Sequence, residues 1–153
     1  MPATGQSRRV DITVRGVGGH GATPERTKDP VVVASEIVLA LQKIVSRETS
    51  ALDPAVITVG SIHGGTKRNI IPDDVKLLLT VRTYKPEVRK RVLDAIERTA
   101  KGVAMAAGIP DELAPIVVVH PGEATPATYN DPALVQRDVR HAHSPPHVAA
   151  GRA

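Results

Sequence analysis

Asp74-Val75-Lys76-Leu77-Leu78-Leu79-Thr80-Val81-Arg82-Thr83 is the stretch from which the fold is read. Val75, Leu77, Leu79 and Val81 fall on one side of an extended chain, and Lys76, Leu78, Thr80 and Arg82 on the other. A period of two marks a strand with one face in a core. Just upstream, residues 55–62 follow Pro54 and are rich in β-branched side chains, a second strand; His63-Gly64-Gly65-Thr66 reads as the loop after it. Helical patterns flank this pair. Asp29-Pro30 supplies an N-cap and a first-turn proline, and Val33, Ile37, Ala40, Leu41 and Ile44 then recur at helical spacing to about Arg47. Pro86 opens a second helix with Val88, Val92, Ala95, Ile96, Thr99 and Val103 on its stripe, and Gly108 followed by Pro110 stops it. Alternation over residues 9–15 and an apolar run at Ile116–His120 add strands at either end. The order is β-α-β-β-α-β. It predicts an α+β two-layer sandwich of ferredoxin-like arrangement: a four-stranded antiparallel sheet with two helices on one face.

Composition narrows the function classes. The 153 residues suffice for one ordinary domain. Aromatic content is 1%, only Tyr84 and Tyr129, so the core is built from Val, Ile, Leu and Ala, and no stacking platform for bases exists. The net charge of +4 comes from basic residues scattered along the chain, which reads as a solvated surface and gives no nucleic-acid partner. Zero cysteines exclude disulfides, thiolate nucleophiles and Cys-based metal sites. The N-terminus lacks a signal-peptide apolar region and no run reaches membrane-spanning length, so a soluble chain with no membrane partner is expected. Its compartment is unassigned, cytoplasmic by default. Residues 1–8 read as a lead-in, 9–131 as the domain and 132–153 as a disordered tail rich in Pro, Arg, Ala and His. His141, His143 and His147 in that tail imitate a metal tract without a rigid frame to hold it.

The chemistry concentrates in two loops. Gly16-Val17-Gly18-Gly19-His20-Gly21-Ala22-Thr23-Pro24 places an imidazole on a glycine-rich loop directly after a strand. Gly16-x-Gly18-x-x-Gly21 formally matches a dinucleotide fingerprint, but no helix opens at the loop to aim amides at a pyrophosphate. Arg68-Asn69-Ile70-Ile71-Pro72-Asp73 places an amide side chain before the third strand. Each feature also has a plain reading: Asn69 and Pro72 as ordinary loop residues, Arg82 as a solvated strand residue, His63 and His120 as loop or strand-end residues. Asp73-Asp74 and Asp111-Glu112 flank turns with no histidines at ligand spacing, and no nucleophile elbow occurs. A self-contained catalytic centre is not visible.

Several motifs nevertheless fall in order: Gly18-Gly19-His20-Gly21-Ala22-x-Pro24, Asp29-Pro30-Val31, Ala40-Leu41-Gln42, Ile44-Val45-Ser46-Arg47, Val59-Gly60-x-Ile62-x-Gly64-Gly65, Asn69-Ile70-Ile71-Pro72 and Thr80-Val81-Arg82. Over residues 9–131 the chain resembles the lid, or dimerisation, domain of the M20 peptidases, and within them it is most similar to amidohydrolases of the aminoacylase and hippurate-hydrolase type. The resemblance implies a lid inserted between the halves of a catalytic domain that holds two divalent metals, zinc or similar, and a carboxylate general base. It implies that His20 is the lid histidine, which reaches into the partner subunit's site and helps stabilise the oxyanion. Asn69 matches a substrate-contacting asparagine, and Arg82 an arginine that contacts the substrate carboxylate. These residue types suit amide hydrolysis, in which an N–H donor meets the charge developing on the carbonyl oxygen and a guanidinium grips a carboxylate.

The family's metal ligands and general base have no counterpart in this sequence, and residues 137–153 do not align with the family. The expectation is therefore a lid domain of a metal-dependent N-acyl-amino-acid amidohydrolase, with no metal or cofactor of its own and inactive alone. A homodimer or a related full-length subunit is the expected partner. A non-catalytic dimerisation module is the main alternative; a small-ligand sensor rests on fold analogy alone.

Overall fold

The computed structural model describes residues 2–4, 6–121, 128–129 and 131. In chain order its elements are β1 (Pro2–Thr4), β2 (Gln6–Arg15), β3 (Gly19–His20), α1 (Pro30–Arg47), β4 (Ala55–Gly64), β5 (Ile70–Ile71), β6 (Asp74–Thr83), α2 (Pro86–Ala106), β7 (Ile116–His120) and β8 (Thr128–Tyr129). The tail expected at 132–153, with His141, His143 and His147, lies outside the described residues.

The main sheet has the order β4-β6-β2-β7, every pair antiparallel. It carries two helices in β-α-β-β-α-β order, the α+β sandwich expected from the sequence. β6 lies between β4 and β2. Its Val75, Leu77, Leu79 and Val81 are buried, and paired residues share a face, so Val10, Ile12 and Val14 of β2 join them beneath the helices. Val33, Ala34, Ile37, Leu41 and Ile44 of α1 and Val88, Val92, Ala95, Ile96, Ala100 and Ala104 of α2 close that core. Ala40, Thr99 and Val103, placed on the buried stripes by spacing, are half-buried, and Ala34, Ala100 and Ala104 sit deeper. No aromatic side chain enters the core among the described residues.

Local chemistry sets the helix ends. The Asp29 carboxylate accepts the Val31 amide hydrogen at 2.8 Å, capping α1, with Pro30 at its first position. At the end of α2, Gly108 takes φ +70°. The Ile109 amide then reaches back to the Ala104 carbonyl and the Gly108 amide to that of Met105, both at 3.0 Å. This is a Schellman closure, and its apolar contact is supplied by Ile109 and Ala104, both buried.

Two strands run further than the sequence indicates. β2 begins at Gln6, because Gln6, Ser7 and Arg8 pair with Thr83, Arg82 and Val81 although their side chains show no apolar alternation. β4 continues through His63 and Gly64, so the loop expected to open at His63 starts at Gly65, which takes φ +75°. The register shifts between Val59 and Ser61, and this bulge at Gly60 moves the helix-facing phase from Ile57 and Val59 to Ile62 and Gly64. Gly64 is a close-approach glycine: a Cβ there would lie 2.6 Å from Val75 Cγ2.

Candidate functional site

The glycine loop after β2 is tied down by its own backbone. The Gly16 amide donates to the Asp73 carbonyl at 2.7 Å. Val17 and Lys28 exchange both backbone hydrogen bonds at 2.9 Å. The Gly18 amide donates to Asp73 Oδ1, also at 2.9 Å. A Cβ at Gly16 would meet the Lys28 carbonyl oxygen at 2.2 Å, and one at Gly18 the Ile71 carbonyl oxygen at 2.7 Å. Neither glycine has positive φ. They are small because other backbone crosses them, and the first three loop amides are already committed within the chain. Those three amides face their own chain and not a phosphate, which counts against the nucleotide reading of Gly16, Gly18 and Gly21.

This fastening carries His20 to Asn69. β3 and β5 form a two-stranded ladder pairing Gly19 with Ile71 and His20 with Ile70. The Gly21 amide extends it by donating to the Asn69 carbonyl at 2.9 Å. The His20 side chain is exposed, and its Nε2 lies 3.5 Å from Asn69 Nδ2. Its Nδ1 accepts the Ala22 amide hydrogen at 3.1 Å. Two residues 49 positions apart thus sit side by side on one exposed tip.

Arg82 lies elsewhere. It projects from the sheet face opposite the helices, flanked in register by Val56 and Ser7, near the far end of β6. Asp74, where β6 leaves the His20–Asn69 tip, is eight steps away, roughly 27 Å of extended strand. The same outer face carries His120, whose Nε2 is 3.0 Å from Asp11 Oδ2. His63 extends from β4 with Nε2 3.1 Å from Ser61 Oγ. Both histidines are strand residues with local polar partners, and neither joins His20. Sequence reasoning missed the role of Asp73, whose carboxylate and carbonyl both hold the glycine loop. The signal was present, since Asp73 directly follows Pro72.

No group of three or more His, Asp or Glu side chains able to hold a metal ion occurs among the described residues. The metal pair implied by the resemblance therefore finds no ligand set in them.

The M20 family model described as the peptidase dimerisation domain matches residues 4–106, about two thirds of the chain. The chain belongs to the M20 peptidase dimerisation-domain family. This M20 domain is 49% identical over 92 residues to the N-acetyldiaminopimelate deacetylase of Priestia megaterium, covering 60% of this chain and 24% of that protein. It is 38% identical over 100 residues to the N-acetylcysteine deacetylase of Bacillus subtilis, covering 65% and 26%. Among solved structures it matches the Bacillus subtilis YXEP protein, described as a dinuclear metal-binding peptidase from the M20 family. That match has a TM-score of 0.60 at 25% identity and covers 92% of this chain and 32% of the other. The M20 domain thus spans about a quarter of the length of these two curated relatives.

Proposed function

We propose that residues 9–131 are the lid of a metal-dependent amidohydrolase acting on N-acyl amino acids or related amides, and that the lid works across a dimer. The observation that carries this reading is the His20–Asn69 tip, both residues exposed and their side-chain nitrogens 3.5 Å apart. His20 reaches the reacting carbonyl from outside and donates a hydrogen bond to the oxygen as it gains charge, an interaction stronger in the transition state than in the substrate. Asn69 fixes the acyl-amide group beside it. Arg82 holds the substrate carboxylate through its guanidinium.

The length of β6 supports a division of labour. A small N-acyl amino acid does not span the distance from the His20 tip to Arg82 of the same copy. In the proposed dimer, one copy supplies His20 and Asn69 to a site and the other supplies Arg82. The nucleophile and the metals come from the catalytic domain, so the isolated chain is inactive.

The test pairs this chain with a full-length N-acetyldiaminopimelate deacetylase whose lid histidine is replaced by alanine. Recovery of hydrolysis with the wild-type chain, and none with His20→Ala, is expected. Metal-dependent, chelator-sensitive hydrolysis by the purified chain alone would overturn the reading.

The alternative, a dimerisation module with no catalytic contribution, draws on another observation. Among the described residues β4 is an edge strand paired with β6 alone, and Val56 and Ile62 on it are about half exposed. On α1, Val32 is 55% and Leu39 72% exposed. An open edge beside exposed apolar side chains favours self-association. Sedimentation giving a dimer, without rescue of the histidine-deficient enzyme, selects this alternative.

A further inference from the structure

Both ring nitrogens of His20 face N–H groups. Nδ1 lies 3.1 Å from the Ala22 backbone nitrogen, and Nε2 lies 3.5 Å from Asn69 Nδ2. A neutral imidazole has one protonated nitrogen and one lone-pair nitrogen, so it accepts one of these hydrogen bonds; an imidazolium accepts neither. The two donors differ in freedom. The Ala22 amide belongs to a turn closed by the Thr23 amide on the His20 carbonyl at 3.0 Å, with the Thr23 hydroxyl on the same oxygen at 3.3 Å. The preceding Gly21 amide is bonded to Asn69. Reversing Ala22 means unwinding that turn. The Asn69 side chain is exposed and exchanges its nitrogen and oxygen by one rotation.

We infer that the Ala22 backbone amide fixes His20 as the neutral tautomer protonated on Nε2, and that Asn69 turns its Oδ1 toward that proton. Ala22 is then a positioning residue acting through its main chain. The consequence is a tip that presents donors outward. His20 offers Nε2–H and Asn69 offers its Nδ2 hydrogens, while the Asn69 oxygen is occupied by the histidine. Asn69 Nδ2 stands 3.5 Å from Nε2, and an oxygen rotated into its place makes a long contact, so the Nε2 proton is free to be shared with an incoming oxygen. Such a pair suits an oxygen gaining negative charge. The link to catalysis rests on the proposed function; the tautomer does not.

The experiment is long-range proton–nitrogen NMR on the full chain carrying 15N-histidine, at mildly alkaline pH, with His20 assigned by its loss in His20→Gln. Free neutral histidine already favours Nε2–H, so the readout is the residual Nδ1–H population. That population is expected to be depleted roughly fivefold against a short His-Gly-Ala peptide, the worth of one net backbone hydrogen bond. Ala22→Pro, which removes the amide hydrogen, returns it to the peptide value, and Asn69→Ala leaves it depleted. Nitrogen shifts equal to the peptide's, or depletion lost in Asn69→Ala, overturn the inference. If Ala22→Pro does not fold, the wild-type and Asn69→Ala spectra still decide. Failure to rescue a histidine-deficient enzyme would sink the proposed function and leave this result standing.

Discussion

The Asp73 carboxylate accepts the Gly18 amide hydrogen at 2.9 Å, joining two loops 55 residues apart in sequence. The Asp73 carbonyl takes the Gly16 amide as well. Asp73→Ala leaves the Gly18 amide without its protein partner, whereas Asp73→Asn retains an acceptor oxygen. The alanine variant is expected to lose about 1–2 kcal/mol in urea denaturation and to speed hydrogen exchange at Gly18. The asparagine variant should recover most of both. Equal losses in the two would mean that charge, not the hydrogen bond, holds the loop.

His20 itself should contribute little to the fold. It is exposed on a glycine-flanked strand, so His20→Ala is expected to change stability by no more than about 0.5 kcal/mol. In a complete enzyme on the proposed reading, removing the oxyanion donor lowers turnover by roughly 10²–10³. A melting temperature that collapses in the isolated domain would make His20 a structural residue.

Glycine substitutions should separate by sign. Gly64→Ala drives a methyl to 2.6 Å from Val75 Cγ2 at the last pair of the β4–β6 ladder and is expected to cost about 1–3 kcal/mol. Gly102 is exposed within α2, and a Cβ there meets nothing within 4 Å. Gly102→Ala should stabilise by about 0.5–1 kcal/mol through helix propensity. Denaturant midpoints measured side by side check both.

A surface ion pair supplies a pH signature. Lys85 donates to Asp53 Oδ1 at 2.7 Å, with Arg91 3.4 Å from Oδ2. The Lys85 hydrogen bond, with smaller help from the charges of Lys85 and Arg91, holds the Asp53 carboxyl below its ordinary 3.8. The same bond raises the Lys85 ammonium above its ordinary 10.5. The Asp53 contribution is therefore fully present above 3.8 and is lost as pH falls through the lowered folded value. The Lys85 contribution is fully present below 10.5 and is lost as pH rises through the raised one. Asp53→Asn should melt slightly below wild type at neutral pH, with the gap closing in acid and in high salt. A gap that persists in acid would assign the effect to packing.

Periodicity was enough to place β6, the helix caps and the element order, because those features are written in nearest-neighbour chemistry: alternating Val75, Leu77, Leu79 and Val81, the Asp29 cap, and the Gly108 stop. It was not enough for features set by a partner strand. Gln6, Ser7 and Arg8 extend β2 because β6 lies alongside, not because they are apolar. Gly64 looks like a turn glycine in the sequence, since close approach to Val75 leaves no local mark and the Gly60 bulge breaks the alternation that would have flagged it. At the candidate site, His20, Asn69 and Arg82 stand out as residue types on loops and a strand. The nearness of the first two comes from the β3–β5 ladder, a pairing of two-residue strands that no periodicity announces.

β6 also acts as a gauge block. Its rise per residue is set by covalent geometry, so the interval between the donor tip and the Arg82 guanidinium cannot be tuned without changing the strand itself. On the proposed reading, ownership of each site is crossed between copies. A mixed dimer carrying His20→Ala in one copy and Arg82→Ala in the other concentrates both lesions in a single site and leaves its sister intact, retaining half the activity.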